Sequence, residues 1–145
     1  MADKNKNIKI SKRFKKWQPP QIEHGKPTRW NWLVLYPKGL KLGRYTDIGA
    51  YTLLMAKYGV KIEDYVEIGS HCSIYSQSTI DHKQAPVLLK KNCKIGTHSS
   101  VMPGVTIGKN SIVGAHSFVN KNIPSNEIWA GCPVRFLRKL NKKKF

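Results

Sequence analysis

One stretch of this chain repeats on a period that few folds can carry. From Leu89 to Val119 every sixth residue is aliphatic: Leu89, Ile95, Val101, Ile107, Val113 and Val119. Three of these are followed by glycine, as Gly96, Gly108 and Gly114. The residue four places after the aliphatic is small or β-branched: Cys93, Ser99, Val105, Ser111 and Ser117. A fixed internal period constrains architecture more tightly than composition does, because every repeat must become the same structural unit. Apolar residues do not recur at three and four, so an amphipathic helix is excluded. A sandwich of short strands has no reason to hold one period over so long a run.

The number six has a physical reading. The small residue and the next aliphatic lie two apart, so both face inward on one short strand. The three residues between them turn a corner, where glycine and small polar residues are tolerated. Three strands and three corners close a triangle, and successive turns stack as parallel strands about 4.7–4.9 Å apart. The row starts with Leu42, Ile48 and Leu54, slips by two around Lys57 to Val60, and resumes as Ile62, Ile68, Ile74 and Ile80. A step of nine then leads to Leu89. Thirteen hexads at three per turn predict an all-β parallel β-helix of about four triangular coils. The expected organisation is a basic arm and capping strand over 1–41, the β-helix over 42–123, and a basic tail over 124–145.

Charge narrows the partners. The 145 residues carry a net charge of +18, which favours anionic ligands such as phosphates and nucleotides, nucleic acid or an acidic membrane surface. Much of it sits at the ends, in Lys4, Lys6, Lys9, Lys12, Arg13, Lys15 and Lys16 and in Lys142 to Lys144. Phe14, Trp17 and Phe145 interleave with these cations, but no nucleic-acid motif is present and no specific nucleic-acid partner is expected. The three cysteines, Cys72, Cys93 and Cys132, lack CxxC spacing and read as free thiols of a reducing compartment. The longest apolar run, Trp32 to Tyr36, is too short for a membrane span or a signal sequence. The expectation is a soluble cytoplasmic protein with no transmembrane segment.

Beyond periodicity, the order of three motifs is specific. Lys94-Ile-Gly-Thr-His-Ser-Ser-Val-Met-Pro-Gly-Val-Thr-Ile-Gly108 is followed by Ile112-Val-Gly-Ala-His-Ser-Phe-Val119, then by Ile123-Pro124 and Gly131-Cys-Pro-Val-Arg135. This order resembles the hexapeptide-repeat acyltransferases and, within them, the sugar O- and N-acetyltransferase branch that uses acetyl-CoA. The resemblance covers about residues 42–140. It implies a left-handed coil, against the right-handed preference of crossover connections in general. It also implies a homotrimer with clefts between subunits, and an acceptor that is a sugar or nucleotide-sugar of surface polysaccharide synthesis.

The resemblance assigns residues as well. His82, in the nine-residue step, matches the histidine that serves these enzymes as general base. Imidazole suits that task, with an unperturbed pKa of about 6.5. Asp81 is its neighbour in sequence, but adjacent strand residues point apart, so it is not assigned to orient His82. Coenzyme A needs a groove for its pantetheine arm and cations for its phosphates. Thr97, Gly114, Ala115 and Ser117 are the expected groove wall, with Thr97 and Ala115 matching positions that contact the arm. Lys121, Arg135 and Arg138 match the basic positions at the phosphate end. The bland alternatives are a solvated loop histidine, and glycines and serines that the hexads require anyway. Many relatives have tryptophan where this chain has Lys94, so the acceptor is left open there.

Three further readings concern the ladders. His98 and His116 lie one coil apart and should form an outward ladder, with Asn92 rather than His98 following His71. That spacing does not match the zinc-binding members of the fold, and no metal is expected. Cys72 and Cys93 are expected to stack in one inward slot, one coil apart. The competing functional class is a non-enzymatic β-helix binding or scaffold protein whose basic surface holds anionic partners.

Overall fold

The computed structural model describes residues 14–141. Most of the expected basic arm (1–13) and the last lysine cluster (142–145) lie outside the described residues. The chain winds into a triangular parallel β-helix. The first coil contains β1 (Leu33–Leu35), β2 (Leu40–Leu42) and β3 (Asp47–Ile48), and the second β4 (Leu53–Met55), β5 (Val60–Ile62) and β6 (Glu67–Ile68). The third contains β7 (Ser73–Tyr75), an outlying hairpin of β8 (Gln77–Ser78) and β9 (Lys83–Gln84), then β10 (Val87–Leu89) and β11 (Lys94–Ile95). The fourth contains β12 (Ser100–Val101), β13 (Thr106–Ile107) and β14 (Ile112–Val113). The last contains β15 (Phe118–Val119), a bridge at Ile123, and β16 (Glu127–Ala130), against which β17 (Arg135–Lys139) folds back antiparallel. The first side of the prism is therefore the sheet β1-β4-β7-β12-β15, the second holds β2-β5-β10-β13, and the third holds β3-β6-β11-β14-β16.

Five coils are present where the hexads counted about four. Leu33–Leu35 was expected to cover the end of the coil; it is instead the first side of the first coil, paired in register with Leu53–Met55. A 3-10 turn at Pro37–Gly39 lengthens the corner, so Leu42, the next residue of the row, comes eight after Val34 rather than six and the repeat does not reach back to it. The cap is supplied by the segment before it, where His24 bridges Val34 and Gly25 donates to the Val34 carbonyl.

Two inward columns on each side build the core. On the first side Val34, Leu54, Ile74, Val101 and Val119 are fully buried. Each is worth about 1.5–3 kcal/mol relative to exposure. The neighbouring column is Trp32, Thr52, Cys72, Ser99 and Ser117, all buried. Its small polar residues have a task. Thr52 Oγ1 donates to Gly69 O (2.9 Å), Cys72 Sγ to Gly96 O (3.2 Å) and Ser99 Oγ to Gly114 O (3.2 Å), so each satisfies a corner carbonyl of the next coil. Among the described residues no buried side-chain nitrogen or oxygen lacks a partner, as a dry interior requires.

The hairpin changes the count for everything after it. Ile74 pairs with Val101 and Val101 with Val119, so the third coil is nine residues longer than the fourth. Ile80 was read as an inward hexad residue; it stands 95% exposed near the hairpin tip. Cys72 and Cys93 were read as stacked in one slot. They lie on different sides of the same coil, Cys72 preceding β7 and Cys93 preceding β11. Likewise His71 is followed by His98 rather than Asn92: the two rings stack at 4.7 Å, and His116 continues the ladder at 4.9 Å. Asn92 belongs to a separate ladder, donating to Asn110, which donates to Asn126.

Two predictions follow from this packing. A Cβ on Gly96 would sit 2.4 Å from the Ala115 backbone nitrogen, so the coils would have to part. Gly96→Ala should cost about 2–3 kcal/mol, read as a lower urea midpoint; an unchanged midpoint would contradict the close approach. The thiols give the second. Burial pushes the Cys93 thiol up to about 12 from an ordinary 9.0 and raises Cys72 as well, while Cys132 is exposed. At about pH 8 a maleimide should label Cys132 and spare the other two until denaturant is added; two fast thiols in the native protein would contradict it. The neutral Cys93 also ties stability to pH. Its contribution is present below pH 9.0, where an unfolded thiol is protonated too, and is lost as pH rises toward about 12.

Candidate active site

The β8–β9 hairpin leaves the prism at the corner between the first and second sides. His82 lies in its turn with φ 58°, fully outside the core. Two antiparallel pairs, Gln77 with Gln84 and Ser78 with Lys83, hold the turn. Asp81 is occupied within the same turn: the Ser78 hydroxyl, above all, holds its carboxyl below the usual range, and Lys83 Nζ sits 3.7 Å away. Both interactions tie Asp81 to other residues of the hairpin.

The expected groove residues gather at a different corner, between the third and first sides. Ser70, Thr97 and Ala115 stack there in successive coils, because glycines 69 and 96 let each backbone settle on the next. Thr97 Oγ1 donates to Ser70 O at 2.7 Å, lies 3.1 Å from Ser70 Oγ and contacts His98 Nδ1 at 3.0 Å. A shallow groove runs down the outer face of the third side, lined by Asp47, Glu67, Gly69, Lys94, Gly96, Ile112, Gly114 and Ala115. Small residues keep it open, as a narrow chain-like ligand requires.

Ser117 is a correction. It was expected in the groove wall, but it is only 3% exposed. Its hydroxyl donates to Gly114 O (2.7 Å) and accepts from the Gly131 N–H (3.1 Å). It occupies the inward slot that Thr52 and Ser99 fill in earlier coils. Lys94, left open by the sequence, is paired: its ammonium lies 2.7 Å from Glu67 Oε2 in the groove. Both side chains are partly exposed, so the pair fixes Lys94 across the groove more than it stabilises the fold.

The basic residues split between corners. Arg135 and Arg138 stand on β17, opposite Ala130 and Ile128, at the C-terminal end of the grooved side. Both are exposed. Lys121 lies between β15 and Ile123, at the first–second corner, on the hairpin's edge of the prism. Within one chain, then, Thr97, Gly114, Ala115, Arg135 and Arg138 share one side and its corner, whereas His82 and Lys121 belong to another.

The ladder of His71, His98 and His116 has the expected His98–His116 step, whereas the place of His71 in it was missed because the hairpin's length hid the register. Its rings lie face to face, with interplanar angles of 4° and 14°. Stacked rings aim their nitrogens in parallel and do not converge on a tetrahedral point. Among the described residues no group of three histidine, cysteine or acidic side chains is placed to hold a metal ion, and no helix is long and apolar enough to cross a membrane.

The profile of the family "Bacterial transferase hexapeptide (six repeats)" matches residues 86–121. The chain is 32% identical to the galactoside O-acetyltransferase of Escherichia coli K12 over 117 residues, covering 74% of this chain and 58% of the relative. It is 34% identical over 113 residues to the putative colanic acid biosynthesis acetyltransferase WcaF of the same organism, covering 72% and 61%. The chain thus spans about three fifths of the length of these relatives. Among solved structures, a hexapeptide-repeat acetyltransferase of Vibrio cholerae complexed with acetyl-CoA superposes with a TM-score of 0.72 at 27% identity, covering 77% of this chain and 66% of that one. An N-acyltransferase of Bacillus cereus in complex with dTDP and coenzyme A does so with 0.67 at 29% identity, covering 77% and 67%. Repeat, coil and relatives agree: the chain carries the bacterial transferase hexapeptide repeat over residues 86–121 and is similar to the sugar acetyltransferase branch of the hexapeptide-repeat acyltransferases.

Proposed function

We propose that this chain transfers an acetyl group from acetyl-CoA to a hydroxyl or amine of a sugar or nucleotide-sugar in surface polysaccharide synthesis. The observation that carries this reading is the open groove beside Thr97, Gly114 and Ala115, ending at the cations Arg135 and Arg138. Small groove residues leave backbone groups accessible to the amides of a pantetheine arm. Guanidinium groups at the far end suit the phosphates. Lys121 would join them from another copy, since it stands at a different corner. The relatives support the donor: one superposes with acetyl-CoA bound and another with coenzyme A.

His82 is the proposed general base. As the acceptor oxygen or nitrogen attacks the thioester carbonyl, a ring nitrogen of His82 takes its proton, and the imidazolium then returns it to the departing thiolate sulfur. Backbone N–H groups would steady the charge on the carbonyl oxygen. His82 and the groove occupy different corners of one chain, so a complete site would combine the hairpin of one copy with the groove of another, in the homotrimer that the resemblance implies. The first side offers a surface for such packing. Leu33, Leu53 and Phe118 share one outward column and Leu35, Met55 and Tyr75 the next, all half-buried in the single chain. A closed three-fold arrangement would cover them. Free thiols fit a cytoplasmic setting.

The first test is release of CoA thiol from acetyl-CoA across a panel of sugars and amino-sugar nucleotides; no acceptor-dependent release, together with salt-sensitive nucleic-acid binding, would favour the non-enzymatic scaffold instead. With an acceptor in hand, His82→Ala should lower kcat about 10²–10⁴-fold. An unchanged kcat at saturating substrates would remove the assignment. Arg135→Ala combined with Arg138→Ala should raise KM for acetyl-CoA several-fold with little change in kcat, and an unaltered KM would end the phosphate role.

A further inference from the structure

At the N-terminal end of the prism, away from Arg135 and Arg138, two clefts meet along one ridge. The first, about 290 Å³, lies between the segment 14–20, the turn 28–32 and β3; Trp17, Trp30 and Trp32 line it together with Lys16, Arg29 and Asp47. The second, about 420 Å³, lies on the far side of Arg29 and Trp30. Gln18, Pro20, Arg29 and Trp30 belong to both, so the pair forms one groove divided by the Trp30 ring. Ligand sites usually begin at about 300 Å³, which gives each half room for one small ring.

This groove is held firmly. Thr28, buried, accepts from the Trp30 N–H (3.3 Å) and donates its own N–H to Trp32 O (2.8 Å), while Asn31 N–H closes on Thr28 O (2.9 Å). The turn presents Trp30 at its tip, 42% exposed, with the Arg29 guanidinium 4.9 Å from the ring centroid. Opposite, Trp17 Nε1 donates to Thr46 O at 2.9 Å, which ties the segment to β3. Trp32, 4% exposed, forms the floor.

We propose that this groove binds a short acidic oligosaccharide, with a sugar ring on the face of Trp30 that Arg29 leaves open. A pyranose has an apolar C–H face and a rim of hydroxyls. Indole rings suit the face. Planar polar groups such as Gln18, Arg29 and Asp47 suit the rim, because each offers two donors or acceptors side by side. Charge decides the class of sugar. Glu23 is paired with Lys26 at 2.7 Å, so the cations Lys16 and Arg29 outnumber Asp47 around the first cleft, and a sugar carboxylate matches Arg29 in bidentate fashion. A phosphodiester strand would also stack and also meet Arg29, but a saccharide surrounds every ring with hydroxyls that suit the polar rim of Gln18 and Arg29. Binding here needs no acetyl donor, and it stands or falls separately from the transfer reaction.

The test is isothermal titration of the full chain, without acetyl-CoA, at about physiological salt. Oligogalacturonate is the probe, with malto-oligosaccharide and an oligothymidylate of equal charge as comparators. Trp30→Ala and Arg29→Ala are the variants; both side chains are exposed, and circular dichroism confirms that each has folded. The expected result is saturable binding of oligogalacturonate, weakened about tenfold or more by either substitution, with weaker binding of both comparators. No saturable binding, or binding indifferent to both substitutions, would overturn the site. Equal binding of malto-oligosaccharide would overturn the acidic preference, and equal, Trp30-dependent binding of oligothymidylate would replace the saccharide by a nucleic-acid strand.

Discussion

The structure depends on the backbone of one coil resting directly on the backbone of the next. Gly69 N–H donates to Ile95 O and Gly96 N–H to Val113 O, both at 2.8 Å, while His98 N–H reaches Ser70 O and His116 N–H reaches Thr97 O. These bonds run along the prism axis from coil to coil, and they form at the corners as well as along the sides. The corners come close only because Gly69 and Gly96 have no side chain to hold the next turn away. The same contact that builds the fold therefore strips the third side of bulk and leaves a groove beside Thr97, Gly114 and Ala115. The inward hydroxyls complete the arrangement, since Thr52 and Ser99 bond the corner carbonyls that this stacking would otherwise bury without partners.

Legibility followed from how strictly the backbone kept its period. From Leu89 to Val119 every inward aliphatic is where the row of six places it, because those coils have no insertions and each hexad is one side of the triangle. The first side of the first coil was hidden because the 3-10 turn at Pro37–Gly39 lengthens the corner between it and Leu42. The hairpin caused the larger errors. Ile80 happens to fall six after Ile74, so an exposed tip residue passed for a core residue, and the partners of His71 and Cys72 were displaced with it. Ser117 failed for another reason: a small residue beside a groove and a small residue inside the coil look alike in sequence, and only the bonds to Gly114 O and Gly131 N–H tell them apart. Lys94 and Glu67 could have been paired beforehand by anyone who knew the register, since they are direct neighbours on β11 and β6.

The proposed chemistry takes its shape from the prism. Three corners give three edges on which function can be mounted, and this chain uses them differently. One carries the inserted hairpin with His82; another carries the groove and, at its end, the guanidinium groups of β17. A rigid coil cannot bend to bring two of its own corners together. Reaction between groups on different corners therefore calls for a neighbouring copy to present one of them, and the half-buried apolar columns of the first side give such a neighbour something to pack against.

The most direct measurement is a mixing experiment. His82→Ala removes the proposed base, and Ala115→Trp fills the proposed groove. Each variant alone should lack transferase activity. If the site is shared between copies, co-assembled oligomers of the two should recover a substantial part of it, because some interfaces then join an intact hairpin to an open groove. No recovery, in oligomers shown to contain both variants, would mean that each chain carries its own complete site, and the account of corners divided between subunits would be wrong.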